Sequence, residues 1–274
     1  MIRETNRLRD QVLGSRFGAL AALAPRGLTG ARHVRGQIGS VGRWLINSRE
    51  HTNFTYELTR NNIEQLIWFV SAITEEPYET IANYVGELRG DTKLRSAYSE
   101  AIRNSRRRSL ADTDPRFGRR LAWYAIARAL KPGLIVETGT DKGLGSLVLA
   151  SALIRNGSGR LVTIDINPAA GYLIRGEYAD VTTIWRGDSI LRIGELDQGV
   201  DLFLHDSDHS ASHERLEFDA ILPHLNPGAI LMSDNAHVTS VLSDWAQEHQ
   251  KRFLFFAEEP ANHWYRGAGL GVAW

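Results

Sequence analysis

The chain has 274 residues and no cysteine, which removes disulfides, thiolate nucleophiles and cysteine-bound metals from consideration. Lysine is scarce, four against 28 arginines, a bias we read as genome base composition rather than function. Charge of one sign is lacking too: the formal net charge is zero, so no overall field recommends a nucleic acid as partner. No apolar run approaches the roughly 20 residues needed to span a bilayer. The opening MIRETNRLRD carries both signs and the apolar patch at 19–25 is short, so no secretory leader is expected and the expected location is the cytoplasm. What remains is a 43% hydrophobic, 23% charged chain, long enough for one large domain with an appendage or two small ones.

The pattern changes character near Pro132. Before it the periods are helical. Ile63, Leu66, Ile67, Val70 and Ile73 recur at the spacing of one helix face, 77–88 reads the same way behind Pro77, and Arg119–Leu130 forms a third helix closed by Lys131, Pro132 and Gly133. The first fifty residues hold nine arginines against three acids, and the glycine-spaced stretch 27–40 shows no clear period; it is expected to be a loop or loosely ordered arm. After Pro132, short apolar strands alternate with helices: strands at 134–138, 160–166, 181–188, 200–206 and 228–234, then RFLFFAEE and the tail GAGLGVAW. Alternation with short connections predicts an α/β fold, a mostly parallel sheet covered by helices on both faces. Ligands of such sheets sit beyond the carboxyl ends of the strands, near the switch point.

VETGTDKGLGS follows the first strand and opens a helix, with Gly139 and Gly143 set in E-x-G-x-x-x-G. Glycine lets the backbone turn and approach a ligand closely. The dinucleotide pattern G-x-G-x-x-G is not met, because Asp141 stands where its second glycine would fall. Glu137 and Asp141 would repel a pyrophosphate and suit a ligand with positive charge, an ammonium or a sulfonium. The second strand ends at Asp165, a place where a carboxylate can accept both hydroxyls of a ribose. The third ends in Asp188 and Ser189, which can take an adenine amino group. One loop and two acids on successive strand ends describe an adenosine with an amino-acid tail; taken singly, each acid could be a helix cap.

In these motifs, residues 114–274 resemble a class I S-adenosylmethionine-dependent methyltransferase. HDSDH (205–209) and SDN (233–235) resemble, within that class, the metal-dependent O-methyltransferases of antibiotic sugars, the macrocin O-methyltransferase group. The resemblance implies a Rossmann-like, doubly wound sheet of seven strands with the last antiparallel. It implies S-adenosylmethionine bound by Glu137, Thr138, Gly139, Thr140, Gly143 and Ser146 from the first strand and its loop. Asp165, Asp188, Ser189 and Asp206 follow from the next three strands. Residues 1–113 carry no motif; by analogy they supply a lid and subunit contacts, hence a homo-oligomer.

HDSDH places four ionisable groups at one strand end. Asp206, Asp234 and the Asn235 carbonyl form an oxygen-only set suited to Mg²⁺. Such an ion would orient an acceptor hydroxyl and lower its pKa. His209, with Asp208 as partner or alternative, is the candidate base, while His205 is expected to be structural. Asp208 and Asp234 could instead cap helices, and some relatives with this pattern carry no metal. The expected activity is methylation of a hydroxyl on a small specialised metabolite or sugar. The competing readings are a glycosyltransferase using DSD as its D-x-D motif, a nicotinamide-dependent dehydrogenase, and a non-catalytic nucleoside-binding relative.

Overall fold

The computed structural model describes residues 23–50 and 52–274. Two compact units are present: the chain through Ser48 with Asn262–Trp264, and Arg49–Ala261 with Tyr265–Trp274. In the first unit, Leu23–Asn47 forms a helix, α1, and Trp44 meets Trp264 edge to face with ring centroids 5.4 Å apart. This corrects the loop or arm expected at 27–40. The glycines there hide the helical period without preventing it, each costing about 1 kcal/mol relative to alanine.

The second unit begins with helices α2 (Arg60–Thr74), α3 (Tyr78–Arg89), α4 (Thr92–Arg103) and α5 (Arg120–Leu130). Thr59 caps α2 by accepting the Asn62 N–H, and the stripe from Ile63 to Ile73 is buried as its spacing requires. Lys131, at a φ of 47°, ends α5 and turns the chain into the sheet.

The sheet is built from β1 (Leu134–Thr138), β2 (Arg160–Asp165), β3 (Thr182–Arg186), β4 (Val200–His205), β5 (Leu225–Asp234), β6 (Phe253–Ala257) and β7 (Gly269–Ala273). Its order is β3-β2-β1-β4-β5-β7-β6, and β7 runs antiparallel to both neighbours. Helices α6 (Leu144–Asn156), α7 (Glu177–Asp180), α8 (Ser189–Ile193), α9 (Ala211–Ile221) and α10 (Val241–Glu248) complete the unit. One apolar cluster lies between the sheet and α2–α6, and a second lies between the sheet and α8–α10. The sheet is therefore covered on both faces. The stretch 169–178, AAGYLIRGEY, reads as helical in the sequence; it is mostly turns, and only Glu177 and Tyr178 join the single turn of α7.

The strand order reverses between β1 and β4, so their ends part the flanking connections and open a crevice. Gly139, just past β1, has a φ of 86°, and a Cβ there would lie 1.9 Å from the carbonyl oxygen of Asp206, just past β4. Backbone meets backbone, and nothing larger than hydrogen fits. Gly139→Ala is expected to lose the fold or most of its thermal stability. Gly157→Ala is the control: its φ of 71° is also left-handed, but no atom lies within 4 Å of an added Cβ. It should cost only about 1–2 kcal/mol. Similar melting shifts for the two variants would contradict the close-approach account.

Candidate active site

A cleft of about 600 Å³ opens at the carboxyl ends of β1–β5, within the usual size range of small-ligand sites. Glu137, Gly139, Thr140, Asp165, Asp188, Ser189, Asp206, Asp208, His209, Asp234 and Asn235 all line it. Thr138, Gly143 and Ser146 stand behind its wall. Thr138 Oγ1 donates to Glu217 at 2.6 Å, the Ser146 hydroxyl donates to Glu137, and Gly143, at a φ of 96°, sits against Ile174.

Glu137 is buried on β1 in register with Thr163 of β2. Thr163 donates to it at 2.7 Å. Burial pushes its carboxyl up to about 7, against these hydrogen bonds and the pull of Arg120. Asp165 uses one oxygen for the Asp141 N–H at 2.8 Å and the other for the Asn167 N–H at 2.7 Å. Each oxygen keeps a lone pair for a further donor. Beside it Ile166 is 76% exposed, an apolar side chain on the cleft wall. Asp188 caps α8 by accepting the Leu191 N–H at 3.0 Å, so the capping role and the cleft-lining role fall on the same residue.

Behind the crevice lies a residue whose role the sequence did not disclose. Glu217 of α9 is fully buried and takes five side-chain contacts: Thr138, Ser189, Ser207 at 2.7 Å, His205 Nδ1 at 2.7 Å and His213 Nε2 at 3.0 Å. Burial alone would raise its pKa; the hydrogen bond from His205 and the other donors outweigh it and hold the group at about 2. His205 is thus structural, as expected.

At the mouth, Asp206 and Asp234 lie side by side. Burial and the neighbouring Asp234 push Asp206 well above the carboxylate range. For Asp234, burial is outweighed by Arg119, which holds it at about 2. His209 is pushed down by burial, so its imidazole is neutral at neutral pH. Its Nε2 lies 2.9 Å from Asn235 Nδ2, and Nδ1 has no partner. Asp208 is exposed and accepts the Ser210 N–H at 2.9 Å, a turn preceding α9. Among the described residues it makes no hydrogen bond to His209.

Oxygen and nitrogen atoms of Asp206, His209 and Asp234 lie within 4.8 Å of one another, which is close enough for a shared ion. Asp234, however, is already engaged. Both its oxygens accept from the Arg119 guanidinium. Arg119 is in turn fixed by Glu258 at 3.1 Å, and Tyr56 donates to Glu258 at 2.7 Å. A hydrated dication there would face the like charge of this guanidinium and have to share both Asp234 oxygens with it. As arranged, Asp206, Asp234 and Asn235 do not fit Mg²⁺, and Arg119 supplies the positive charge at that place.

Residues 136–236 match the sequence family described as a methyltransferase domain. The match runs from β1 to just past β5, the strands whose ends form the cleft. No curated protein matches. Among solved structures, a Klebsiella pneumoniae protein described as an O-methyltransferase is similar at 18% identity and a TM-score of 0.53, covering 68% of this chain and 90% of its own. The cofactor-bound Rv0187 from MTB is similar at 16% identity and a TM-score of 0.51, with 67% and 90% covered. A Geobacter sulfurreducens methyltransferase is similar at 19% and 0.50, with 70% and 93% covered. At these identities the likeness is one of fold. No described helix is long and apolar enough to cross a membrane.

Glu217 also makes stability depend on pH. Its folded pKa is depressed, so its contribution is whole above the ordinary carboxylate pKa of about 4.3 and is lost as pH falls towards about 2. Glu217→Gln should melt lower than the parent at pH 7, and its midpoint should fall less between pH 5 and pH 2. Parallel melting curves over that range would show that the carboxylate is not held as described.

Proposed function

We propose that the cleft transfers a methyl group from S-adenosylmethionine to a hydroxyl of a small molecule, such as a sugar or specialised metabolite in the manner of the macrocin-type enzymes. The observation that carries this reading is the convergence of Glu137, Asp165 and Asp188, from three adjacent strand ends, on one cleft that also holds a neutral imidazole. In this reading Asp165 accepts from the ribose hydroxyls, Ile166 covers one face of the adenine, and Glu137 meets the positive end of the donor.

Transfer is an in-line displacement. The acceptor oxygen attacks the methyl carbon, the carbon–sulfur bond breaks with its pair going to sulfur, and the hydroxyl proton has to leave. The donor is already activated, so the chain's work is alignment and removal of that proton. His209 is the base in this reading. With Asn235 Nδ2 donating to Nε2, the ring proton sits on Nδ1. Turning the amide end for end puts Oδ1 on Nε2–H instead, and because Nδ1 is buried the ring has to turn to present a bare nitrogen to the acceptor. Asp208 belongs to the turn that carries His209 rather than to the proton path. Arg119 holds Asp234 close to His209, and in this reading no metal takes part in these steps.

S-adenosylhomocysteine should bind in calorimetry and raise the melting midpoint. Asp165→Ala should weaken it by roughly 1.5–3 kcal/mol, the worth of hydrogen bonds to a charged group. No binding of donor or product would end the methyltransferase reading of this cleft. With an acceptor found by a methyl-transfer screen, His209→Ala should lower kcat by about 10²–10⁴-fold with donor affinity kept. Activity should persist in EDTA. Loss in EDTA with recovery on Mg²⁺ would restore Asp206, Asp234 and Asn235 as ligands and require Arg119 to release Asp234.

A further inference from the structure

Helix α1 carries two features that its own packing does not use. Its 25 residues hold four arginines, Arg26, Arg32, Arg35 and Arg43, and no acid, in a chain whose formal net charge is zero. Its large apolar side chains also face outward: Leu23, Val34, Ile38 and Leu45 are between 50% and 66% exposed. At about 100° of rotation per residue these four fall within about 60° of one another, in a single stripe along the helix. The packed side lies on one flank of that stripe, where Ser40 is buried and Trp44 meets Trp264.

The space around the helix is open. An added Cβ at Gly27, Gly30, Gly36 or Gly42 would find no atom within 4 Å beyond the adjoining helix backbone. Glycines in a helix interior cost stability, and a helix recovers most of its stability by burying an apolar face. In α1 that face is left in water. A continuous apolar stripe of this kind marks a surface for something that covers it.

The chemistry of the helix selects what that is. A second copy would bring an equally basic helix, and like charge opposes the pairing. A nucleic acid would answer the arginines but offers no apolar bed for the stripe. A bilayer with acidic headgroups answers both, with negative charge at its surface and hydrocarbon just beneath. By the same rotation Arg26 and Arg35 fall on opposite flanks of the stripe, where long side chains can reach headgroups while the apolar ones sink. The arginines also keep α1 from being apolar enough to cross a membrane.

We propose that α1 docks the protein on an anionic lipid surface, with Leu23, Val34, Ile38 and Leu45 set below the headgroups and the arginines among them. This interface does not depend on the methyltransferase reading of the cleft.

Co-sedimentation of the full chain with vesicles tests it, one set of phosphatidylcholine alone and one of equal parts phosphatidylcholine and phosphatidylglycerol. The parent should bind the mixed vesicles at least about tenfold more tightly than the neutral ones, and salt at about 1 M should remove most of that binding. Ile38→Gln combined with Leu45→Gln keeps the charge and the helix propensity. It should lower affinity for the mixed vesicles by about tenfold or more, with the thermal midpoint unchanged because both side chains are exposed. Arg35→Gln combined with Arg43→Gln should reduce the preference for the mixed vesicles. If the parent binds neither set, binds both equally, or loses nothing in the Ile38 and Leu45 double variant, the proposal is overturned. A parent dimer in sedimentation velocity that this double variant turns into a monomer, with no vesicle binding, would overturn it too and give the stripe to a second copy.

Discussion

The crevice exists because two backbones touch. Gly139 after β1 and Asp206 after β4 are in contact with no side chain between them, and the switch in strand order at that seam sends the flanking connections apart. Every residue of the candidate site hangs from this junction or from the strand ends on either side of it. Glu217 secures it from behind. One buried carboxylate gathers hydroxyl and imidazole groups from the ends of β1 and β4 and from α8 and α9, so the loops that carry Gly139, Ser189, Ser207 and His209 are indexed to one point. Preorganised placement of this kind is what alignment of a nucleophile with an activated methyl demands.

Charge in the cleft is sorted by partner. Arg119 is spent on structure: it joins β5 through Asp234 to the end of β6 through Glu258, and Tyr56 closes the network. Arg120, one residue on, lies over the Trp123 ring with its buried Nε unpartnered. On the acidic side Asp234 is neutralised by Arg119, Asp206 is driven towards its protonated form, and Glu137 stands near the point of balance. Such a cleft favours a ligand with compensating charges at its tail and little net charge elsewhere, and it disfavours the pyrophosphates of the nucleotide-sugar and nicotinamide alternatives.

The fold was largely legible because its signals are local. Alternating strand and helix patterns, the glycine loop after β1 and acids at successive strand ends each lie within a few residues, and the structure brings Glu137, Asp165, Asp188, Asp206 and His209 to one mouth. What the sequence hid is what depends on distance along the chain. Arg119 meets Glu258 across 139 residues, and nothing in RFGRR marks one arginine as paired and the next as free. Glu217 reads as an ordinary charge on an amphipathic helix until its five partners are seen. The metal expectation came from the same limit: Asp206, Asp234 and Asn235 look like a ligand set until Arg119 takes both oxygens of Asp234. At 27–40 a local signal misled, since glycine spacing concealed a helix that the chain nevertheless forms.

The most direct measurement is a crystal structure of the protein grown with saturating S-adenosylhomocysteine and Mg²⁺. The account predicts the ribose on Asp165, the adenine between Ile166 and Asp188, and the positive end of the amino-acid tail towards Glu137. It also predicts Arg119 still closed on Asp234 with no ion beside Asp206. An empty cleft, or a nucleoside bound elsewhere, would contradict it.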